Sequence, residues 1–403
     1  MANIIKLPQQ SWYNPRELEL PLPDNWQVEV CNMAGYNRPA LNGEQIKAAI
    51  ANPIGTPRIR DMARGKKEAV IIFDDIHRVT RVAKIAPFLI EELEEAGIPD
   101  GNIRFIAATA NHAPMNLIDF EKKLGREIMA RFPVYNHNPH SNCTYIGTTS
   151  RGTKVSINAE VMYCDLKIAI NSTQPHMTHV FSGGGKIILP GVASIDTTFA
   201  NHILPISQKG NYETNELRLD ADEAAKLAGL DMVIEGIYNL WGDTVALFAG
   251  EPAAAHAACV EEAKSHYVMP RARDKDIVIA NSYTKSTESV TALATAASLR
   301  EKGGDFVLIC NAPQGQVVHY LAGPWGKTIK GKMELFPLPI PPNINHLIMF
   351  TEYPDIASYG YLEKSDKIMP MSNLDEVIGT LQAFHKDGAS VAVYPNADIP
   401  YFG

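Results

Sequence analysis

The sequence predicts an α/β protein built from two α/β domains, with mostly parallel sheets and an interdomain cleft. Three observations lead there. Short apolar runs rich in Val and Ile alternate with helically spaced segments along the chain. At 403 residues the chain is longer than a single hydrophobic core usually organises. Pro270-Arg-Ala-Arg-Asp-Lys275, polar and led by proline, reads as a linker. The boundary is accordingly expected between residues 1–270 and 271–403.

Residues 17–31 alternate apolar and polar positions around Pro23-Asp24-Asn25, which predicts two N-terminal strands joined by a turn. Ala69-Val-Ile-Ile-Phe73 reads as a buried strand ending in Asp74-Asp75. Ala83 to Ala96 carries Ile85, Phe88, Leu89 and Leu93 at helical spacing, and Gly97 stops it. Asn102 to Ala108 is the next strand, which completes a β-α-β crossover of a parallel sheet. The alternation continues with strand Leu166–Ile170, helix Ala221–Leu227, strand Met232–Ile237 and helix Pro252–Tyr267. Past the linker come strand Ile277–Ala280, helix Glu288–Lys302, strands Phe306–Cys310 and His346–Phe350, helix Leu374–His385 and strand Val391–Tyr394. Ligands in such sheets bind beyond the carboxyl ends of strands, where Asp75, His112, Asn171 and Asn281 fall. The sequence contains no internal repeat and no low-complexity segment.

Composition narrows the function classes. The chain is 45% hydrophobic and 20% charged, with no window approaching the roughly 18 continuous apolar residues of a membrane span. Its first residues, Met-Ala-Asn-Ile-Ile-Lys-Leu-Pro, lack the charged, apolar and small-residue regions of a secretory signal, so a cytoplasmic location is expected. A net charge of −8 without any basic run argues against a nucleic-acid surface. The five cysteines are an odd number, far apart and without a Cys-x-x-Cys pair, as scattered reduced core thiols would be.

The densest chemistry lies between His176 and His202, where histidines, the glycine run Ser182-Gly-Gly-Gly and Lys186 occur together. Glycines let backbone approach a bound group without a Cβ in the way, and the lysine can place an amine on that group. The phosphate-loop pattern fails, because Ile187 follows the lysine and the first glycine is too close. Neither Gly-x-Gly-x-x-Gly after a strand nor His-Glu-x-x-His occurs. His176 and His179 have His-x-x-His spacing, a weak metal signal by itself. Asp75 and Arg78, just past a strand end, suit ribose hydroxyls and a phosphate or carboxylate; a solvated turn or a helix cap is the alternative. His112 sits at the equivalent end of the next strand, as an acid or base would, against the alternative of a surface histidine.

Taken in order, these segments resemble the nickel-dependent lactate racemase family, whose members bind a nickel-pincer nucleotide derived from nicotinic acid. The family's Asp-x-Thr-Arg motif is met by Asp75-Ile-His77-Arg78, with His77 in place of threonine. Its Gly-Thr-His-Arg-Pro-like loop is met by Asn111-His112-Ala-Pro114. Its histidine followed ten residues later by lysine is met by His176 and Lys186 around Phe181-Ser-Gly-Gly-Gly, and its last histidine, sixteen residues on, by His202. The likeness is good over roughly residues 70–205 and architectural elsewhere.

The resemblance implies a racemase or epimerase of a 2-hydroxy acid, with residues 1–270 binding the cofactor and performing catalysis and residues 271–403 contributing substrate contacts. It implies a nickel-pincer nucleotide tethered covalently at Lys186, with His202 as nickel ligand and His112 and His176 as the acid/base pair. Asp75, Arg78, Ser182, Gly183 and Gly184 would complete the cofactor seat. Removing hydride from C2 gives a flat 2-keto acid and erases the stereocentre, whereas proton abstraction beside an ionised carboxylate is difficult. Two imidazoles on opposite sides serve both enantiomers, each worth on the order of 10²–10⁴-fold in rate.

In lactate-acting relatives a Tyr-Gln-x-x-Lys segment reaches the substrate; here Asn281-Ser-Tyr283-Thr-Lys285-Ser-Thr-Glu288 stands in that region and Thr291 lies near the lysine position. Asn281, Tyr283, Lys285 and Arg78 are the expected substrate contacts; Asn281 and Glu288 can hydrogen-bond additional hydroxyls, so an acid larger or more polar than lactate, such as a sugar acid, fits at least as well as lactate. Helix capping by Ser286 or Thr287 is the alternative reading of this segment. Cofactor-maturation proteins and a homodimer are compatible partners. Two rival readings stay open: a zinc hydrolase using His176, His179 and His202, and a noncatalytic nucleotide-binding protein.

Overall fold

The computed structural model describes residues 3–205, 211–321, 337–355 and 360–403. The chain opens on β1 (Asn3–Gln9), β2 (Arg16–Leu22) and β3 (Gln27–Val30). Helices α1 (Gly43–Ala51) and α2 (Ile59–Ala63) lead to β4 (Ala69–Asp74), α3 (Val82–Glu95), β5 (Ile103–Ala108), α4 (Leu117–Leu124), α5 (Arg126–Arg131) and β6 (Val134–Asn136). A hairpin of β7 (Cys143–Thr148) and β8 (Lys154–Asn158) and the short α6 (Ala159–Tyr163) precede β9 (Leu166–Ser172). Next come β10 (Pro175–His176), β11 (Val180–Phe181), α7 (Ile195–His202), α8 (Glu216–Ala228), β12 (Met232–Tyr238), β13 (Thr244–Gly250) and α9 (Pro252–Tyr267). The last stretch holds β14 (Ile277–Asn281), β15 (Gly304–Ile309), β16 (Ile344–Phe350), β17 (Ile368–Met371), α10 (Leu374–Phe384) and β18 (Ser390–Tyr394).

The chain divides into two compact units. One comprises Arg38–Asn239 and Asp243–Ala263 and is organised by a six-stranded sheet of order β13-β12-β9-β4-β5-β6. Its strands are parallel except β13, which pairs antiparallel with β12 at the edge. Strands β4, β9 and β12 are buried along their whole length, because helices cover both faces; this is why they read as unbroken apolar runs. Val70, Ile72, Ala169 and Val233 pack against Ile188, Leu189, Ala221 and Ala224 in one core. At roughly 25 cal/mol per Å², each such fully buried Val or Ile side chain contributes on the order of 2 kcal/mol.

The other unit comprises Met1–Asn37, Leu240–Gly242 and Lys264–Gly403 around a six-stranded sheet of order β17-β16-β15-β14-β18-β3. Every neighbouring pair in it is parallel. Its core joins Ile277, Ile279, Val307, Ile348 and Val393 with Leu7 of β1, Leu20 of β2 and Trp26 of the turn before β3.

Three expectations are revised. The alternating residues 17–31 do form strands, but β2 pairs with β1 and β3 joins β18, so no hairpin forms around Pro23. Alternation reports which face is buried and is silent on the partner. The boundary expected at residue 270 separates 1–37 from the unit they join, and Pro270–Lys275 lies inside that unit rather than between the two. The helix expected over Glu288–Lys302 is a 3₁₀ segment, Ser286–Ser298, broken at Glu288. Thr291 Oγ1 and Thr295 Oγ1 donate to the carbonyls of Glu288 and Ala292 at 2.9 and 2.8 Å, a side-chain competition that disfavours a regular α-helix.

No helix among the described residues is long and apolar enough to cross a membrane. The five cysteines are all unpaired, and four are buried.

Candidate active site

Strand β4 ends in Asp74, and the loop beyond it folds on its own carboxylates. Asp75 Oδ1 accepts from the His77 backbone N–H at 3.0 Å, an Asx-type turn that fixes the loop entering α3. Lys123, fully buried on α4, donates to the carbonyls of Asp75 and Arg78 at 2.8 and 2.9 Å and pairs with Asp74 at 2.8 Å. Burial pushes the Lys123 amine down, opposed by Asp74. The Arg78 guanidinium donates to the His77 carbonyl at 2.9 Å.

The loop after β5 passes through Ala110 at φ +52° and brings His112 over the same corner. His112 Nδ1 lies 2.6 Å from Asp75 Oδ2, with the carboxylate 3% exposed. Burial alone would raise the Asp75 carboxyl, but the charges of His77, His112 and Arg78 outweigh it and hold the group well below the usual range. The rings of His77 and His112 meet edge to face at 5.1 Å.

The third loop follows β9. Short strands β10 and β11 pair through His176 and Val180, and the turn between them holds His179, fully buried. Val180 sits at φ +63°, uncommon for a β-branched residue. Thr178 donates its N–H to His176 Nδ1 at 3.3 Å, and its hydroxyl lies 2.8 Å from His179 Nδ1. Lys186 Nζ is 3.4 Å from His176 Nε2 and 3.3 Å from His179 Nδ1. The His179 ring lies 5.9 Å from that of His202 at the end of α7. Burial, reinforced by the Lys186 charge, pushes His179 well down and His202 to about 4; His112 adds a smaller push on His202. His112, His176, His179, Lys186 and His202 are thus linked around one corner of the sheet by contact or charge.

The glycine run serves a different end from the expected open approach to a ligand. A Cβ on Gly183 would lie 2.6 Å from Thr173 Oγ1, one on Gly184 2.7 Å from the His256 ring, and one on Gly185 2.6 Å from an Asp222 oxygen. These residues therefore face packed protein. Arg218, 1% exposed, donates to the carbonyls of Gly183 at 2.8 Å and Phe181 at 3.0 Å. Glu235 accepts from the Gly184 N–H and from Thr173 at 2.9 Å and lies 2.7 Å from His256 Nδ1. The Ser182 hydroxyl is engaged with the Ser172 carbonyl and the Gln174 N–H. The loop is held from beneath, which fixes where Lys186 emerges.

Asn281, Tyr283 and Lys285 belong to the other unit. The Asn281 amide donates to the carbonyls of Pro8 and Pro395 and accepts from Gln9, so it ties β14 to its neighbours. Tyr283 donates to the Trp241 carbonyl at 2.8 Å, and Lys285 is 2% exposed with its backbone N–H on Asp398. Lys285 occupies the cap position of the 3₁₀ segment, so neither Ser286 nor Thr287 is its cap. Thr291 is engaged with the carbonyls of Glu288 and Asp398.

Sequence reasoning missed Lys123, Arg218 and the Glu235–His256 pair, and undervalued His179. Lys123 and Arg218 left a signal: each sits within the buried stripe of its helix, beside Phe120 and Leu124 or Leu217 and Ala221. A cation in an apolar stripe has to find carbonyls or carboxylates.

Residues 13–214, half of the chain, match the model of the lactate racemase N-terminal domain. The lactate racemase of Thermoanaerobacterium thermosaccharolyticum is 33% identical over 69% of this chain and 66% of its own length, so the chain spans just under two thirds of that relative. The lactate racemase of Lactiplantibacillus plantarum is 29% identical over 75% of this chain and 74% of its own. The solved lactate racemase apoprotein of T. thermosaccharolyticum superposes with a TM-score of 0.72 at 25% identity, covering 99% of this chain and 100% of that one. A Thermotoga maritima protein shares the fold at a TM-score of 0.64 and 18% identity over 91% of this chain and 100% of its own. With a domain match that spans the three loops and their histidines, the chain belongs to the lactate racemase family.

Proposed function

We propose that this protein is a racemase or epimerase that inverts C2 of a 2-hydroxy acid, with a nickel-pincer nucleotide tethered at Lys186, His202 as nickel ligand, and His112 and His176 as the acid/base pair. The observation that carries this reading is the joining of Lys186, His176, His179 and His202 at one corner of the sheet, with His112 held by Asp75 close by. The surroundings suit a polar ligand. Both amide atoms of Asn171, both of Gln174 and Nε2 of His179 are buried without a hydrogen-bond partner, a costly arrangement unless a bound group satisfies them.

When bound, such a cofactor supplies the capacity to accept a hydride from C2 and to return it. The chain supplies the proton chemistry. Asp75 fixes the Nδ1–H of His112, leaving Nε2 to take the hydroxyl proton, and it stabilises the imidazolium that results. His176, with Nδ1 accepting from Thr178, turns Nε2 toward Lys186 and handles the proton on the other face. His179, kept neutral by burial, crowds the lysine without adding a competing charge. Arg78 offers a planar guanidinium for the substrate carboxylate.

Lactate is the substrate named for the relatives. An acid larger or more polar than lactate is the second proposal, resting on Glu288 in the segment that differs from the relatives' Tyr-Gln-x-x-Lys, since the Thr291 hydroxyl is taken up by two carbonyls. The Asn281 amide, engaged within its unit, adds nothing to that preference. Against the zinc-hydrolase reading, His176, His179 and His202 are not among the clusters of described residues whose ligand atoms lie within 4.8 Å of one another.

The test is protein purified from its native host, with intact mass, metal content and optical purity measured together. Added nucleotide mass, nickel, and loss of optical purity of lactate or an aldonic acid with C2 deuterium retained are expected. Zinc without nickel or added mass would favour a hydrolase, and a loaded protein inert toward all 2-hydroxy acids would favour a binding protein.

A further inference from the structure

We infer that Asp75, His77 and His112 form a second divalent-cation site, sharing His112 with the Lys186–His202 corner and suited to zinc-like ions. One ligand atom of each residue lies within 4.8 Å of the other two, and Asp75 is buried. One carboxylate and two imidazoles form a ligand set that zinc and related first-row ions take, with positions left for water or an oxyanion. The donors come from two loops fixed independently. Asp75 and His77 sit in the turn pinned by Lys123, and His112 follows β5, where its N–H donates to the Thr109 carbonyl at 2.8 Å. The site therefore needs side-chain adjustment and no refolding of backbone.

One further observation favours a cation there. His77 stands where the resemblance has threonine, and its ring already lies against His112. A threonine would leave only two of the three donors. The consequence for the reaction follows from the same atoms: a bound cation takes lone pairs of the proposed acid/base His112, so zinc would act as a reversible inhibitor relieved by chelators. This consequence rests on the function proposed above; the site itself does not.

The experiment uses the full chain produced without cofactor, titrated with zinc by calorimetry and with cobalt(II) by its visible absorption. A site that loses at least about tenfold in affinity in His77→Thr and in Asp75→Asn, and keeps its affinity in His176→Ala and His202→Ala, is expected. His77→Gln, which retains size and polarity, guards against a folding defect, with thermal unfolding of every variant as the control. Equal zinc affinity in wild type, His77→Thr and His77→Gln would overturn the proposal, as would a cobalt spectrum unchanged by all three substitutions at residues 75 and 77. Zinc binding that meets these criteria in a protein without racemase activity would leave the site standing and count only against the proposed function.

Discussion

His112 Nδ1 and Asp75 Oδ2 lie 2.6 Å apart, an imidazole and a buried ionised carboxylate brought together from the ends of two adjacent parallel strands. The carboxylate selects the tautomer with hydrogen on Nδ1 and leaves Nε2 as the basic atom. Asp75→Asn removes that selection while keeping the shape. Turnover is expected to fall by about 10²-fold or more, with the covalent mass addition retained. A kcat unchanged within a factor of a few would remove the orienting role.

The Lys186 amine is in contact with nitrogens of both His176 and His179. Lys186→Ala is expected to abolish any added mass in protein from the native host, read by intact-mass spectrometry. A shift that persists in that variant would sink the tether.

Gly184 has φ +56° and faces the His256 ring, where a Cβ would approach to 2.7 Å. Gly184→Ala therefore meets backbone strain and overpacking together, and a loss on the order of 2–4 kcal/mol is expected in denaturant unfolding. Gly97→Ala is the comparison, since Gly97 shares a positive φ but has open space around it. Equal destabilisation of the two variants would show that packing against His256 adds nothing.

Lys123 and Asp74 form a buried ion pair, with Lys123 also holding the carbonyls of Asp75 and Arg78 in the loop after β4. Lys123→Met removes the cation facing Asp74 Oδ1 and the donor to both carbonyls, while Thr80 and Ser172 still donate to Asp74 Oδ2. Destabilisation of about 3–5 kcal/mol is expected, and Lys123→Met/Asp74→Leu should recover part of it. A double variant as unstable as the sum of the two singles would argue against direct coupling.

His137 gives the protein a pH dependence separate from catalysis. Its Nε2 lies 2.8 Å from the Ala193 carbonyl and its Nδ1 3.1 Å from the Asn158 amide, and burial lowers its pKa to about 4. The unfolded chain then takes up a proton near pH 6.5 that the folded chain takes up only near 4. The stabilisation from the neutral imidazole is full above about pH 6.5 and is lost as pH falls through about 4, amounting to on the order of 3 kcal/mol. His137→Gln should flatten the fall in stability between those limits in urea titrations at several pH values. An unchanged slope would assign acid sensitivity elsewhere.

How much of this was legible depends on range. Strands β4, β9, β12, β14 and β15 were readable because burial on both faces demands unbroken apolar runs, and α3 because one stripe faces the sheet. The site was readable as loops, since Asp75 and His112 follow adjacent strands of a parallel sheet. The partners of β2 and β3 were not, because alternation carries no information about pairing across hundreds of residues. The 3₁₀ segment after β14 was misread because its apolar spacing suited a helix while its threonine hydroxyls engaged the backbone.

The sequence by itself determined the α/β class, the loops that carry chemistry and the histidines and lysine within them, because these follow from local periodicity and from residue type. Only the tertiary structure decided that β3 completes the C-terminal sheet, that the glycines yield to Glu235, His256 and Asp222, and that His77 joins Asp75 and His112. Those outcomes depend on which atoms meet after distant segments pack, and contact between distant segments is settled by the closing of the core around them.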